Sequence, residues 1–247
     1  MKKIMILILT ILTFSFSFGM KKVYVGTNAE FKPYEYLEGD KIVGFDIELM
    51  EAMAKELNYK VKWINMSFSG LLPALQSNKI DVVIAGMSAT PERSKAVDFS
   101  KPYLAFGTGH AIIVNEGSNI LKKEDLKDKR VGVQLGSKQE KLAEEKGGKI
   151  VLFDSFAGAI LALTQNKIDS VVIDENSGEE YIKNTKGLKI ADIIMDNSPG
   201  EAMAFKKGNK KLEEDFELAF NKVLESGEYL QLVKKYFPDK VSNNIIK

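Results

Sequence analysis

A repeated segment constrains this chain more than any other feature of its 247 residues. Residues 67–85 read SFSGLLPALQSNKIDVVIA, and residues 155–173 read SFAGAILALTQNKIDSVVI. At this constant offset of 88 residues, 10 of the 19 aligned positions are identical, where ordinary composition would give about one. Each copy predicts an amphipathic helix, an Asn-Lys turn and a β-branched strand, at 81–85 and 169–173. A likeness arising only from similar composition is the alternative, and it does not account for this many identities.

Strands and helices also alternate outside the repeat, which is typical of parallel βαβ units. The pattern predicts strands at 22–26, 60–64, 130–134, 149–153 and 203–205, and helices at 46–57, 139–146, 212–225 and 230–236. The fold class predicted is therefore α/β, with two similar lobes that each contain one copy of the repeat. Ligands of open parallel sheets bind beyond the carboxyl ends of the strands. Polar residues and glycines follow those strands, as in Gly86-Met87-Ser88 and Asp174-Glu175.

The second copy is predicted to be an insertion into the first lobe. Lobe 1 would then be discontinuous, with residues 20–107 and 201–247, and lobe 2 would contain residues 108–200. Two strands, at 106–114 and 195–205, would cross between the lobes and form a hinge. Gly107, Gly109 and Gly200 lie at or near these crossings, where backbone dihedral angles have to change.

The first 19 residues are predicted to be a secretory signal. Lys2 and Lys3 precede an apolar run over 4–18, and small residues stand where a signal peptidase cleaves. The run is shorter than the roughly 20 residues that a spanning helix needs, so an uncleaved anchor is the weaker alternative. Because the chain has no cysteine, we expect a periplasmic or secreted protein and not a lipoprotein. Cleavage takes the formal charge from +1 to −1.

Composition excludes several kinds of function. A balance of 35 Lys+Arg against 34 Asp+Glu gives no excess of positive charge for nucleic acid. Zero cysteines and a single histidine, His110, leave neither a thiolate metal site nor a two-histidine site. We therefore expect no nucleic-acid partner, no metal and no cofactor.

Four motifs together resemble one known family. They are GTNAEFKPYEY, IVGFDIELMEAMAKEL, AGMSATPERSKAVDFSKPY and LESGEYLQLVKKYF. The chain resembles the periplasmic solute-binding proteins of polar amino-acid ABC importers, family 3, over residues 24–237. The resemblance implies a Venus-flytrap fold with two hinge strands, in agreement with the repeat.

The resemblance also implies a set of ligand contacts. Arg93 matches the arginine that holds the ligand α-carboxylate, and Asp174 matches the carboxylate that pairs with the α-ammonium. A surface salt bridge for Arg93 and a helix cap for Asp174 are the alternatives. Further contacts are expected from both lobes, at Gly86, Met87, Ser88, Gln134, Ser137 and Lys138.

The ligand side chain is expected between Phe31 and Phe68, although packing in the core is the usual role of phenylalanine. Asn28 stands where several relatives carry an acid. Glu30 or Glu201 could replace that acid and pair with a cationic ligand, or could be solvated surface charges. A basic amino acid, lysine or arginine, is favoured because a second acid would balance its charge. Glutamine is the alternative, since the Asn28 amide suits an uncharged ligand.

The resulting prediction is a monomeric, non-enzymatic receptor that captures a free L-amino acid and delivers it to a permease in the inner membrane. An enzyme with the same fold is a second hypothesis, because look-alikes of the family include dehydratases; Glu175 or Glu201 would then act as acid or base. A sensing module or an adhesin is a third. The sequence shows no transmembrane or signalling segment, which argues against a sensing module.

Overall fold

The computed structural model describes residues 20–105 and 109–241. The predicted signal segment and Gly107 lie outside these ranges. Within them, no helix combines the length and the apolar character needed to cross a bilayer.

Lobe 1 is built on a five-stranded sheet with the order β5-β1-β6-β13-β7. Strands β5, β1 and β6 are parallel, and β13 runs antiparallel to both of its neighbours. A small antiparallel sheet, β2-β3-β4, accompanies it. In chain order the first elements are β1 (Lys21–Thr27), β2 (Glu30–Phe31), β3 (Glu35–Glu38), β4 (Lys41–Val43), α1 (Phe45–Glu56), β5 (Tyr59–Asn65), α2 (Phe68–Gln76), β6 (Val82–Val83), α3 (Arg93–Ala96) and β7 (Val97–Phe99).

Lobe 2 has a sheet of the same arrangement, with the order β10-β9-β11-β8-β12. Position by position, β10, β9 and β11 correspond to β5, β1 and β6, and β8 and β12 correspond to β13 and β7. Its elements are β8 (Gly109–Asn115), β9 (Arg130–Gln134), α4 (Lys138–Glu145), β10 (Lys149–Phe153), α5 (Phe156–Thr164), β11 (Ser170–Asp174), α6 (Glu175–Asn184) and β12 (Leu188–Met195). The chain then returns to lobe 1 for β13 (Ala204–Lys206), α7 (Lys210–Glu225) and α8 (Glu228–Tyr236). The predicted α/β fold with two lobes is confirmed.

The two copies of the repeat fold alike. Helices α2 and α5 begin and end at equivalent positions, 88 residues apart. Asn78 and Asn166 follow them in the left-handed region, with φ of 60° and 57°. Asparagine tolerates this conformation better than most residues, which explains its presence in both turns.

Identical contacts join each repeat to its sheet. Asp81 Oδ2 accepts from the backbone N–H of Tyr24 at 2.8 Å, and Asp169 Oδ2 accepts from that of Arg130 at 2.7 Å. A side chain at Gly26 would overlap Ile80, and one at Gly132 would overlap Ile168. The close packing of these isoleucine side chains on the first strand therefore favours glycine at the same place in both lobes.

Alternate strand residues fill two apolar layers in each lobe. In lobe 1, Val82 packs with α1, α7 and α8 on one face of the sheet, and Val83 packs with α2 on the other. In lobe 2, Val171 packs with α5 and Val172 packs on the opposite face. Strands buried on both faces are typical of parallel sheets covered by helices.

The second crossing differs from the predicted continuous strand. Strand β12 ends at Met195 and β13 begins at Ala204. Between them, Glu201 makes isolated bridges with Ser88 and Leu104. The carbonyl of Leu104 lies against Gly200, whose φ is +115°, and this turn interrupts the strand.

Candidate ligand-binding cleft

The carboxyl ends of the central strands of both lobes face one narrow cleft, which is partly open to solvent. The predicted residues that line it are Asn28, Phe31, Phe68, Gly86, Ser88, Arg93, Gln134, Ser137 and Lys138. Glu35, Gln139 and Phe156 complete the lining.

Four predicted residues do not line the cleft. Glu30 lies exposed in β2, and the Met87 side chain packs in the core of lobe 1. Asp174 and Glu201 are 4% and 9% exposed and lie behind the lining, where each contacts a neighbour of the cleft. Glu30 is therefore solvent-exposed and does not line the cleft with the other predicted contacts.

Arg93 reaches from lobe 1 into the cleft. Its guanidinium donates to the Ser88 carbonyl at 2.9 Å and, across the cleft, to the Gly136 carbonyl at 3.0 Å. It also lies 5.2 Å from the centre of the Phe68 ring. Burial lowers the pKa of Arg93 to about 10, so the group remains a cation at neutral pH. Arg93 is thus a fixed positive charge that can meet a carboxylate bidentately.

Three carboxyl side chains are buried on the lobe 1 side of the cleft. Asp46 accepts from the Gly86 N–H at 2.8 Å and from the Tyr103 hydroxyl at 2.7 Å, and Glu201 accepts from the Ser88 hydroxyl at 2.8 Å. Glu35 is fully buried, and its one partner is another acid, because the protonated Glu35 carboxyl donates to the Asp46 carboxylate.

Burial acts on the proton affinity of all three acids. It raises the pKa of Glu201 to about 7 and that of Asp46 to about 6. Burial and the neighbouring Asp46 carboxyl raise the pKa of Glu35 well above its usual value. A cation brought to this side of the cleft would relieve the cost of ionising these groups.

Asp174 caps helix α6 and also contacts lobe 1. Its Oδ1 accepts from the Ser177 N–H at 3.2 Å and from the Tyr34 hydroxyl at 3.2 Å. Asn176 donates to the same hydroxyl at 2.9 Å. The helix cap therefore exists, but it leaves the Asp174 carboxyl facing the other lobe.

Aromatic rings form a stack that spans the lobes. Phe31 lies between Tyr34, at 5.0 Å, and Phe156 of lobe 2, at 5.7 Å, with interplanar angles of 16° and 22°. Phe68 contacts the Arg93 guanidinium instead. The two predicted phenylalanines therefore present apolar faces from different parts of the cleft.

Polar groups meet across the cleft as well. The Gln134 amide donates to Asn28 Oδ1 at 2.9 Å, and the Lys138 ammonium donates to Ser88 Oγ at 2.8 Å. The Ser137 hydroxyl is buried, and no hydrogen-bond partner is found for it in the described chain. These contacts hold the lobes in a closed arrangement.

The sequence prediction missed Glu35, Asp46, Gln139 and Phe156. Phe156 is the repeat counterpart of Phe68, so the repeat itself could have identified it. Glu35 and Asp46 lie within two of the quoted motifs, but nothing in the amino-acid sequence indicates that they are buried. In the described residues, no group of three or more acidic or histidine side chains is arranged to hold a metal ion.

Comparison with known proteins agrees with this geometry. Residues 23–239 match the bacterial extracellular solute-binding proteins, family 3. The arginine-binding extracellular protein ArtP of Bacillus subtilis strain 168 is 38% identical over 226 residues, covering 89% of this chain and 87% of that protein. A probable histidine-binding protein of Campylobacter jejuni is 36% identical, with coverage of 86% and 83%.

Solved structures show the same likeness. An ancestral arginine-binding protein bound to arginine has a TM-score of 0.82 and 43% identity, covering 88% of this chain and 99% of that one. An ancestral arginine-binding protein bound to glutamine has a TM-score of 0.80 and 42% identity, with coverage of 87% and 97%. The two-lobed fold, the shared cleft and the match over nearly all of the described residues lead to one conclusion: this chain belongs to family 3 of the bacterial extracellular solute-binding proteins.

Proposed function

We propose that the chain is a transport receptor that binds a basic L-amino acid, arginine first, between its lobes and delivers it to an ABC permease. The buried Glu35 carboxyl carries the proposal, because it lines the cleft and lies against a second buried acid, Asp46, with which it shares a proton. Ionising two adjacent buried acids costs free energy that a cationic ligand would recover. Binding requires no turnover.

The α-groups of the ligand would bind at the border between the lobes. Arg93 would pair with the α-carboxylate, with the Ser137 hydroxyl and the Gly86 backbone beside it. The Ser88 hydroxyl and Asp174 would hold the α-ammonium. Both charge pairs would gain strength when closure excludes water from the cleft.

The ligand side chain would extend toward Glu35 and separate the stacked rings of Phe31 and Phe156, with Phe68 lining the same cleft. A guanidinium group can stack on an aromatic ring and donate to a carboxylate at the same time. Glu201 would add negative charge from behind Ser88. The arginine- and histidine-binding relatives are consistent with this choice of ligand.

Titration calorimetry with arginine, lysine, histidine, glutamine and citrulline tests the proposal. Citrulline is the neutral counterpart of arginine, so it isolates the charge of the ligand. Glu35→Gln is expected to weaken arginine binding at least tenfold, the scale of a buried charge pair, and to leave citrulline binding nearly unchanged. Glu38→Gln, at an exposed position of the same strand, is the matched control. Equal loss of both ligands, or no loss of either, would contradict the role of Glu35.

Glutamine is the second candidate. The amides of Asn28 and Gln134 pair across the cleft and could both bond an amide ligand. The ancestral protein bound to glutamine shows that a related cleft accepts this ligand. Tighter binding of glutamine than of arginine by the wild-type protein would favour this candidate.

We further infer that the chain is exported, that residues 1–19 are removed, and that the product carries no lipid anchor. The apolar run after Lys2 and Lys3 and the absence of cysteine support this inference. Mass spectrometry of the secreted protein would test it, since retention of the first 19 residues would contradict cleavage.

A further inference from the structure

Lys138 begins helix α4 in lobe 2, yet its ammonium contacts lobe 1. It donates to Ser88 Oγ at 2.8 Å, and within its own lobe it lies 3.3 Å from Ser198 Oγ and 3.1 Å from Asp196 Oδ2. The side chain is only 15% exposed. A buried cation therefore bridges the cleft through the Ser88 hydroxyl.

The Ser88 hydroxyl has little further capacity. It donates its proton to Glu201 Oε2 at 2.8 Å and accepts from Lys138. A hydroxyl has one proton and two lone pairs, so a second ammonium would have to share the oxygen with the first. Two cations on one oxygen in a buried site would repel each other strongly.

We propose that Lys138 is a tethered ammonium that competes with the α-ammonium of the ligand for Ser88, and so sets both the affinity and the selectivity for the α-amino group. This inference rests on the proposed function, which assigns Ser88 to the α-ammonium. When an amino acid binds, the Lys138 ammonium moves off Ser88 and keeps its partners in lobe 2.

Lobe 2 holds a prepared partner for the displaced ammonium. Asp196 contacts both Lys138 and the buried His110, whose Nε2 lies 2.9 Å from Asp196 Oδ2. Gln139 in turn contacts His110 Nδ1 at 3.3 Å. The Asp196 carboxylate is thus fixed in place whether or not Lys138 reaches Ser88, and the displaced ammonium remains paired.

The proposal predicts an interaction between Lys138 and one group of the ligand. A ligand without an α-ammonium leaves the contact between Lys138 and Ser88 intact. The proper probe is 5-guanidinopentanoate, which is arginine without its α-amino group. Replacement of Lys138 should therefore strengthen the binding of arginine but not the binding of this analogue.

Calorimetry of the wild type and of Lys138→Met with both ligands tests this point. We expect the variant to bind arginine about tenfold more tightly, the scale of one hydrogen bond to a charged group, and 5-guanidinopentanoate no more tightly than the wild type. Lys138→Gln should show the same direction. Lys141→Met, at an exposed position of the same helix, is the matched control and should change neither value.

Weaker or unchanged arginine binding by Lys138→Met would overturn the proposal and would make Lys138 a direct or neutral contact. Equal tightening for both ligands would also overturn it.

If the wild type binds no amino acid, the proposed function fails, but the contact can still be tested without ligand. Small-angle scattering should then give a larger radius of gyration for Lys138→Met than for the wild type, and equal radii would count against the contact.

Discussion

Lobe 1 brings one arginine and three buried carboxyls to the cleft, whereas lobe 2 brings a lysine and a single buried carboxyl that also caps a helix. Behind these edges the lobes have the same strand order and the same helix-to-strand contacts. Ser67 and Ser155, Asn78 and Asn166 stand at equivalent places in the two copies of the repeat. The scaffold is therefore duplicated, but the charges that face the ligand are not.

The two arginines of the chain illustrate this difference. Arg93 lies in the cleft of lobe 1. Arg130 lies at the opposite, amino-terminal end of a lobe 2 strand, where it is half exposed and paired with Asp169 at 2.7 Å. The same residue type thus serves as a candidate ligand anchor in one lobe and as a scaffold contact in the other.

Replacement of these two arginines should separate the roles most clearly. Arg93→Ala is expected to cost roughly 3 kcal/mol or more of binding free energy, because it removes one member of a buried charge pair. Arg130→Ala should leave affinity unchanged. Calorimetry with the tightest amino acid of the panel measures both. Unchanged affinity in Arg93→Ala would remove the assignment, provided that its thermal unfolding matches the wild type.

Stability should depend on pH mainly through the buried acids of lobe 1, because the two acids of lobe 2 shift in opposite directions. The raised pKa values of Glu201, about 7, and Asp46, about 6, mean that folded lobe 1 binds more protons than the unfolded chain at pH 5 to 7. The stabilisation that these protonated acids give to the folded state is present at low pH and is lost as pH rises through their pKa values. In lobe 2, burial raises the pKa of Asp174. Burial also opposes ionisation of Asp196, but hydrogen bonds from His110 and Ser198 and the charge of Lys138 lower its pKa, so its contribution is lost only in acid.

We therefore expect the free energy of unfolding to fall by about 1 to 3 kcal/mol between pH 5 and pH 8. Urea denaturation of the ligand-free protein across this range measures it. Glu201→Gln should flatten the dependence, and Glu38→Gln, which alters an exposed acid, should not. A stability that rises over this range, or an unaltered slope in Glu201→Gln, would contradict the assignment.

The duplicated scaffold itself can be tested at Asp81 and Asp169. Each accepts a backbone hydrogen bond that fastens the repeat to the neighbouring strand. Asp81→Ala is expected to lower the free energy of unfolding by about 1 kcal/mol, the value of one such bond, and Asp169→Ala by somewhat more, because Asp169 also pairs with the exposed Arg130 guanidinium. Calorimetric unfolding measures both, and ligand affinity should not change. A large loss in one variant with none in the other would show that the two contacts are not equivalent.

The smallest effect is expected at the mouth of the cleft. Lys32 of lobe 1 lies 2.8 Å from Glu180 of lobe 2, and Lys183 lies 3.1 Å from the same carboxylate within helix α6. Lys32→Gln should weaken ligand binding about twofold, since an exposed ion pair contributes under 1 kcal/mol. Lys183→Gln is the control and should have no effect on binding. The difference should vanish at 1 M salt, and its persistence there would exclude an electrostatic cause.

The scaffold could be predicted further than the cleft. The strands at 130–134 and 149–153 have the predicted bounds, because turn residues flank a β-branched run. The strand predicted at 81–85 is reduced to Val82–Val83, since the following residues turn toward the cleft. An alternating pattern of apolar residues indicates where a strand lies. It does not indicate at which residue the strand stops pairing with its neighbours at the carboxyl edge of the sheet.

Within the cleft, the resemblance gave Arg93, Ser88 and the buried Asp174, but two other buried acids were not predicted. Acidic residues are almost always exposed, so Glu35 and Asp46 read as surface charges until the fold encloses them. Glu30 lies exposed in β2, which agrees with the alternative of a solvated surface charge. Burial depends on tertiary packing, which no local pattern records.

The position of β13 has a consequence for the order of folding. This strand lies between β6 and β7, although lobe 2 separates it from them along the chain. The sheet of lobe 1 is therefore incomplete until residues 204–206 are available, whereas all strands of lobe 2 are continuous in sequence. In the folded lobe 2, Gly109 pairs with Met195, so the two ends of the insertion are adjacent. Early folding of lobe 2 would replace a long loop by a short one, and would lower the entropy cost of closing the sheet of lobe 1.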